Sequence, residues 1–345
     1  MRPSVTRFLT SSVVMSVLLA ASSAGAMVIR DDRSDTDYLN LGSNYSSVGH
    51  ISLHSSDGND YLASGTLIDS HWVLTAGHVV DGATSLWWNP DPQGQAFQGY
   101  QASQWYAFPK WNGNVSSGYD LGLMYFTTDL AAQAGIDPSL LYTGSNEVGQ
   151  VGTMVGYGTT GTGLTGYTTY DYQKRGGQNM IDAVLNTPGK DNRVLLSDFD
   201  NPHNAADSSW GSSSPLDLEA LISPGDSGGG LFLDIGGINY LAGVNSFGWG
   251  ILDGDPNSDY GDAAGFTRVS SFVDWIMSYV NGSGGSTSGG GGGKNGGGGG
   301  GTHGGGHSKN SFRVAVQVPE PGTLGMFGLG LAGLVLMGRR RKLAS

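Results

Sequence analysis

From about Val48 to Val280 the chain is built of short β-rich runs separated by Gly, Asn, Asp and Ser, and this punctuation constrains its fold more than any other feature. Ile51-Ser-Leu-His, Tyr61–Ile68, Trp72–Thr75, Leu121–Phe126, Val151–Val155, Leu231–Leu233 and Tyr240–Val244 each have the length of a strand. Runs of this kind at such spacing predict an all-β domain of antiparallel barrels or sandwiches. One segment departs from the pattern: Phe272, Trp275, Ile276 and Tyr279 recur at helical intervals and predict a helix that closes the domain.

Not all of the 345 residues belong to that domain. Residues 1–26 read as a secretory signal peptide, with Arg2 and Arg7 as a basic start, an apolar stretch over Val13–Ala21 and the small-residue site Ala24-Gly25-Ala26. The folded domain is expected over 27–282. Beyond Asn281 the chain turns to long glycine runs, and a segment with so few side chains to bury cannot offset its ordering entropy. Residues 283–311 are therefore expected to form a flexible linker, and 312–345 a separate tail.

That tail has three parts: Val318-Pro-Glu-Pro321, an apolar run from about Gly322 to Gly338, and the basic cluster Arg339-Arg340-Arg341-Lys342. Its apolar length approaches what a membrane-spanning helix requires, and the basic end predicts a cytoplasmic C-terminus. The three parts in this order closely resemble the PEP-CTERM sorting signal of Gram-negative bacteria. The resemblance implies an exosortase as partner, transient tethering to the membrane by the tail, then cleavage and delivery to the cell surface or outside.

The chain contains no cysteine, so an exported domain of this size has to be held by its core and hydrogen bonds. Its formal charge of −12 argues against nucleic acid as a partner, because phosphate binding needs clustered Lys and Arg.

Chemistry is suggested by three short segments arriving in the order His, Asp, Ser: Leu74-Thr-Ala-Gly-His78, Tyr119-Asp120-Leu-Gly-Leu-Met and Pro224-Gly-Asp-Ser227-Gly-Gly. A serine hydroxyl is a poor nucleophile at neutral pH and needs a base within reach and donors for the developing oxyanion. His78, at the end of an apolar strand, is the candidate base. Asp120, just ahead of another apolar run, is the candidate carboxylate to orient it; Asp129 and Asp137 lie in turn-like or helical contexts and suit the role less well. Ser227 is the candidate nucleophile. The glycines around it permit a tight turn that exposes the side chain and points backbone N–H groups inward, which makes the amides of Gly225 and Ser227 the candidate oxyanion hole.

The block from Gly65 through Trp72-Val-Leu-Thr-Ala-Gly-His78, the Asp120 segment, Gly-Asp-Ser227-Gly-Gly, Gly243-Val-Asn-Ser-Phe-Gly248 and Phe266-Thr-Arg-Val together resemble the trypsin-like (chymotrypsin-fold) serine proteases. The likeness implies two antiparallel six-stranded β-barrels, a C-terminal helix and a site in the cleft between them. It also implies a substrate pocket with Leu221 at its base and Ser246, Phe247, Gly248 and Ala264 around it. Leu221 suggests an uncharged residue at the scissile position, whereas Asp253, Asp255, Asp259 and Asp262 crowd the adjoining loop and would favour Lys or Arg. The same acidic loop raises a minor calcium reading over Asp253–Asp259, although it lacks the Gly and Glu of an EF-hand. Otherwise no cofactor is expected.

Two features depart from the family. The Ile-Val-Gly-Gly start whose freed amine pairs with the Asp before the nucleophile is replaced by Val28-Ile-Arg-Asp, although Asp226 is present; the usual disulfides are absent. The expectation is an exported serine endopeptidase acting on polypeptides through His78, Asp120 and Ser227. The alternative is a catalytically silent binding or matrix protein on the same scaffold.

Overall fold

The computed structural model describes residues 27–92, 95–185 and 192–282. The signal peptide, the glycine-rich linker and the sorting segment expected from the sequence lie outside these residues. Among the described residues no helix is long and apolar enough to cross a membrane.

The expected runs are strands, most of them longer than their apolar cores: Val48–Ser55, Asp60–Asp69, Trp72–Thr75, Gly122–Tyr125, Val151–Gly156, Gly230–Ile235 and Ile238–Trp249. They form two antiparallel barrels. The first runs Ala83–Asn89, Val48–Ser55, Asp60–Asp69, Trp72–Thr75, Gly122–Tyr125, and is closed by Tyr100–Gln101 and Gln104–Ala107. These last two are one bent strand: its first half pairs with Ala83–Asn89 and its second with Gly122–Tyr125. The second barrel repeats the device. Arg175–Met180 pairs with Val151–Gly156 and Ala183–Val184 pairs with Val194–Asp198, so a strand bent at Ile181–Asp182 joins the two edges. Counting each bent strand once gives six strands per barrel, as the resemblance implied. Closure removes the open edges that a half-buried sheet would otherwise expose.

Each barrel has its own core. Ile51, Leu67, Val73, Leu74, Leu86, Trp88 and Leu123 fill the first, and Met154, Leu195, Phe199, Leu231, Leu233 and Phe266 belong to the second. The closing helix is Val273–Val280, as its spacing predicted. It packs on the first barrel through Ile276, with Trp275 and Tyr279 beside Phe108, Tyr106 and Trp72.

Two elements were not anticipated. Met27–Ile29 is a buried strand inserted between Thr159–Thr162 and Ala220–Leu221, with Val28 opposite both Gly161 and Leu221. A helix follows at Asp35–Ser43. Its apolar pattern is weak because tertiary contacts hold it: Tyr38 is buried and donates to the Glu219 carbonyl, and Asp35 pairs with the fully buried Arg175 guanidinium. A nine-residue helix has little stability of its own, so packing decides whether it forms.

Candidate active site

Strand register brings the first two site residues together. Trp72–Thr75 pairs with Gly122–Tyr125, Thr75 opposite Gly122, so the residues just beyond each strand end meet at one rim of the first barrel. His78 sits there on the one-turn helix Gly77–Val80, and Asp120 just before the partner strand. The approach is close enough to require glycine: a Cβ on Gly77 would lie 3.0 Å from the Leu121 nitrogen and 3.2 Å from Asp120 Oδ1.

Asp120 is fully buried, and its carboxylate is satisfied by donors only. Oδ1 accepts the His78 backbone N–H at 2.8 Å; Oδ2 accepts His78 Nδ1 at 2.8 Å and the Ser246 hydroxyl at 2.5 Å. Its carbonyl oxygen accepts from Thr267 Oγ1 at 2.8 Å. With an ionised carboxylate facing Nδ1, the imidazole carries its proton there and presents the Nε2 lone pair to the cleft. The His78 side chain remains 32% exposed.

The second barrel contributes Ser227 on the turn between Ala220–Leu221 and Gly230–Ile235. Gly225 (φ +99°) and Gly228 (φ +84°) occupy the left-handed region that a side chain disfavours. Gly228 also lies against the histidine strand, where a Cβ would fall 2.0 Å from Thr75 Oγ1 and 3.0 Å from the Ala76 nitrogen. The Ser64 amide donates to the Ser227 carbonyl at 2.8 Å, and Ser64 Oγ to the Gly225 carbonyl at 2.9 Å. Thus the first barrel holds the turn that carries Ser227. The Ser227 hydroxyl makes no hydrogen bond to His78, a contact that in such sites often tightens only on substrate binding.

Hydrogen bonding along the turn distinguishes its amides. Those of Asp226, Gly228 and Gly229 donate to Ser223, Asn245 and Asp226 carbonyls respectively. Those of Gly225 and Ser227 have no acceptor within the described fold, which leaves both free to receive an anionic oxygen.

Asp226 is fully buried and accepts from the Gly158 amide at 2.8 Å, the Ser223 amide at 2.9 Å and the Ser223 hydroxyl at 3.1 Å. Burial pushes its carboxyl up to about 6, against the pull of these hydrogen bonds. Its direct partners are neutral donors, and the N-terminal strand Met27–Ile29 lies alongside the same region through Thr160 and Leu221.

Leu221 and Ala264 are both fully buried, within the apolar cluster that includes Val28 and Phe266. Gly248 pairs with Ala264, and Phe247 lies over Gly265, where a Cβ would meet its ring at 2.2 Å. Ser246, expected beside the pocket from the sequence, directs its hydroxyl to Asp120. In the acidic loop, Asp253 and Asp255 are exposed, and Asp253 Oδ1 accepts the Asp255 amide. Asp262 is buried and accepts the Ser258 amide, with burial pushing its carboxyl up to about 7. Among the described residues no three His, Asp or Glu side chains are arranged to share a metal ion. Asp129 caps the helix Leu130–Ala134 through the Ala132 amide, a structural use that accounts for it.

Sequence reasoning missed the Ser246 and Thr267 contacts to Asp120. Neither has a local signature, because both depend on strands from the second barrel reaching the first.

The model of the PEP-CTERM protein-sorting motif matches residues 317–342, which marks an exported chain sorted at the cell envelope. Among solved structures, similarity extends to a collagenase titled HL (21% identical, 70% of this chain and 96% of that one, TM-score 0.49). It extends also to neuropsin of mouse brain (19%, 70% and 96%, 0.49) and the protease Anisep from Arthrobacter nicotinovorans (16%, 76% and 100%, 0.48). These distant likenesses carry no argument of their own. The model of the trypsin family matches residues 43–276 and so spans both barrels and the first half of the closing helix. That match takes in both barrels and the His, Asp and Ser segments at their junction, and this chain therefore belongs to the trypsin family of serine proteases.

Proposed function

We propose that the chain is an exported serine endopeptidase that cleaves polypeptides through an acyl-enzyme. The observation that carries this reading is the pairing of His78 with a buried carboxylate that takes only donors, beside a turn whose Gly225 and Ser227 amides are unpaired. In the proposed mechanism Ser227 Oγ attacks the peptide carbonyl carbon while His78 Nε2 takes its proton. The two amides stabilise the tetrahedral oxyanion, and Asp120 stabilises the imidazolium without accepting its proton. His78 then protonates the leaving amine. Water, deprotonated by His78, attacks the ester and releases the acid and free Ser227.

The mechanism needs no cofactor. An uncharged, apolar scissile residue suits the Leu221 and Ala264 surroundings better than a cationic one, because the loop carboxylates Asp253 and Asp255 point to solvent. For the rest of the chain we propose the organisation expected from its sequence: a signal peptide over 1–26, a protease domain over 27–282, a linker over 283–311 and a sorting segment over 312–345. The last would tether the chain in the membrane until an exosortase cleaves it and releases the protease to the surface of a Gram-negative cell.

The rival reading, a silent scaffold, draws on the missing hydrogen bond between Ser227 and His78. Intact mass after treatment with diisopropyl fluorophosphate separates the two. The proposal expects one adduct on the wild-type chain and none on Ser227→Ala; a wild-type chain with a native fold and no adduct would overturn it.

A further inference from the structure

The Gly225 and Ser227 amides can receive an oxyanion only while both are aimed at it, and in a trans peptide unit the N–H points away from the C=O. Their direction is therefore set by whatever holds the Pro224 and Asp226 carbonyls on the opposite side. The Pro224 carbonyl accepts the Thr159 amide at 2.7 Å and Thr159 Oγ1 at 3.2 Å. The Asp226 carbonyl accepts the Gly229 amide at 2.9 Å and Asn245 Nδ2 at 3.2 Å. Between these two lies the peptide unit joining Gly225 to Asp226, whose amide donates to the Ser223 carbonyl at 3.0 Å. Its carbonyl takes no backbone N–H among the described residues and accepts Ser64 Oγ at 2.9 Å.

Gly225, at φ +99°, is where this arrangement is weakest, because a glycine lets the peptide units on either side of it rotate at little steric cost. Hydrogen bonds on both sides oppose that rotation, from Thr159 on the unit before and from Ser64 on the unit after. Thr159 acts chiefly through its backbone N–H, whereas Ser64 acts through a hydroxyl that is itself oriented. The Tyr157 amide donates to Ser64 Oγ at 2.9 Å, which occupies a lone pair and leaves the hydroxyl proton for Gly225. Tyr157 is fixed in turn: it is buried, Lys174 Nζ lies 5.6 Å from its ring centre, and its hydroxyl donates to the Pro90 carbonyl at 2.6 Å. Ser64 is fully buried, and its backbone is held as well, the amide by the Ser227 carbonyl and the carbonyl by Thr75 Oγ1.

We infer that Ser64 is a positioning residue for the oxyanion hole: its hydroxyl touches no substrate, but by holding the Gly225 carbonyl it keeps the Gly225 amide aimed at the developing negative charge. This inference rests on the endopeptidase reading and adds a residue that serves its transition state. The oxyanion forms only as Ser227 attacks, so an amide that loses its aim lowers kcat and leaves substrate binding as it was. Losing an oxyanion donor outright costs about 10²–10³ in kcat, and an amide that swings free but still samples its place should cost roughly 10–100-fold.

The test measures kcat and KM of the exported full chain on one peptide substrate, beside thermal unfolding of the same samples. Ser64→Ala should lower kcat by roughly 10–100-fold while KM stays within about twofold of wild type. Affinity for a peptide boronate, whose tetrahedral adduct on Ser227 places an oxygen against the two amides, should fall with kcat rather than follow KM. Ser64→Cys fills the same space with a weak donor and should show the same split, which carries the test if the alanine variant does not fold. Ser64→Thr restores a hydroxyl and should return kcat to within about threefold of wild type. A folded Ala or Cys variant with wild-type kcat, a loss expressed in KM, or a folded Thr variant as slow as the Ala variant overturns the inference. Fluorophosphonate labelling of the wild-type chain separates the two levels: a labelled enzyme indifferent to Ser64 sinks this inference alone, whereas an unlabelled native chain sinks the endopeptidase reading and this inference with it.

Discussion

Asp120→Asn is the sharpest perturbation the site offers, because Asn matches Asp in shape and differs in one donor group. All three side-chain partners of Asp120 are donors in the native arrangement. The backbone N–H of His78 cannot become an acceptor, so the Asn carbonyl must stay on it and the new NH2 must take the place of Oδ2. There it faces Ser246 Oγ, which can turn to accept, and His78 Nδ1, which can accept only by giving up its proton. The imidazole then carries that proton on Nε2 and presents a donor, not a lone pair, to Ser227. A base held in the wrong tautomer loses about 10⁴-fold in kcat, or about 5.5 kcal/mol of transition-state stabilisation. Little fold stability should go with it, since the hydrogen-bond count is preserved and a buried charge is removed. The assay compares steady-state hydrolysis of an unstructured protein substrate near pH 7 with thermal unfolding of the same samples. An Asn variant with a native melt and more than about a tenth of wild-type kcat would refute the tautomer argument.

Two further outcomes follow from the same structure. Gly228→Ala combines a left-handed backbone with a Cβ 2.0 Å from Thr75 Oγ1, and should cost about 3 kcal/mol or more in chemical denaturation. Gly113→Ala, at φ +81° but in open space, should cost only about 1 kcal/mol; equal effects would show that contact with the histidine strand is immaterial. Stability should also fall as pH rises. Burial and neighbouring carboxylates push Glu219 up to about 8 and Asp182 up to about 7, while burial pushes Asp262 to about 7 and Asp226 to about 6. Each holds its proton more tightly folded than unfolded, so this contribution is fully present below about pH 4 and is lost as pH rises through 6 to 8. Thermal melts should show Tm dropping by roughly 5 °C or more from pH 5 to pH 8.5, with Glu219→Gln flattening the upper part of the curve. A Tm that climbs steadily over that interval would contradict the burial argument.

What the linear chain determined on its own is local. Short β-rich runs such as Trp72–Thr75 and Val151–Val155, set off by turn-forming residues, announce strands, and the 3.6-residue spacing of Phe272, Trp275, Ile276 and Tyr279 announces the closing helix. His78, Asp120 and Ser227 stand out as candidates in the sequence because each lies in a short motif whose neighbours serve the same turn or strand, so one segment carries its own signal.

The tertiary structure alone decided what depends on distant segments. It made single bent strands close each barrel, since whether a strand pairs on both edges is a property of the sheet. It formed the helix Asp35–Ser43 through Tyr38 and the Asp35–Arg175 pair, contacts invisible to its weak periodicity. It turned the Ser246 hydroxyl onto Asp120 beside the bulge between Asn245 and Phe247, and residue spacing does not reveal where a bulge falls. It brought Trp111 to His78 by folding a loop back onto a helix cap. Residue type and spacing encode which groups a chain possesses and how its strands alternate, whereas the distance between groups on different strands is fixed only when register, closure and loop anchoring are satisfied together.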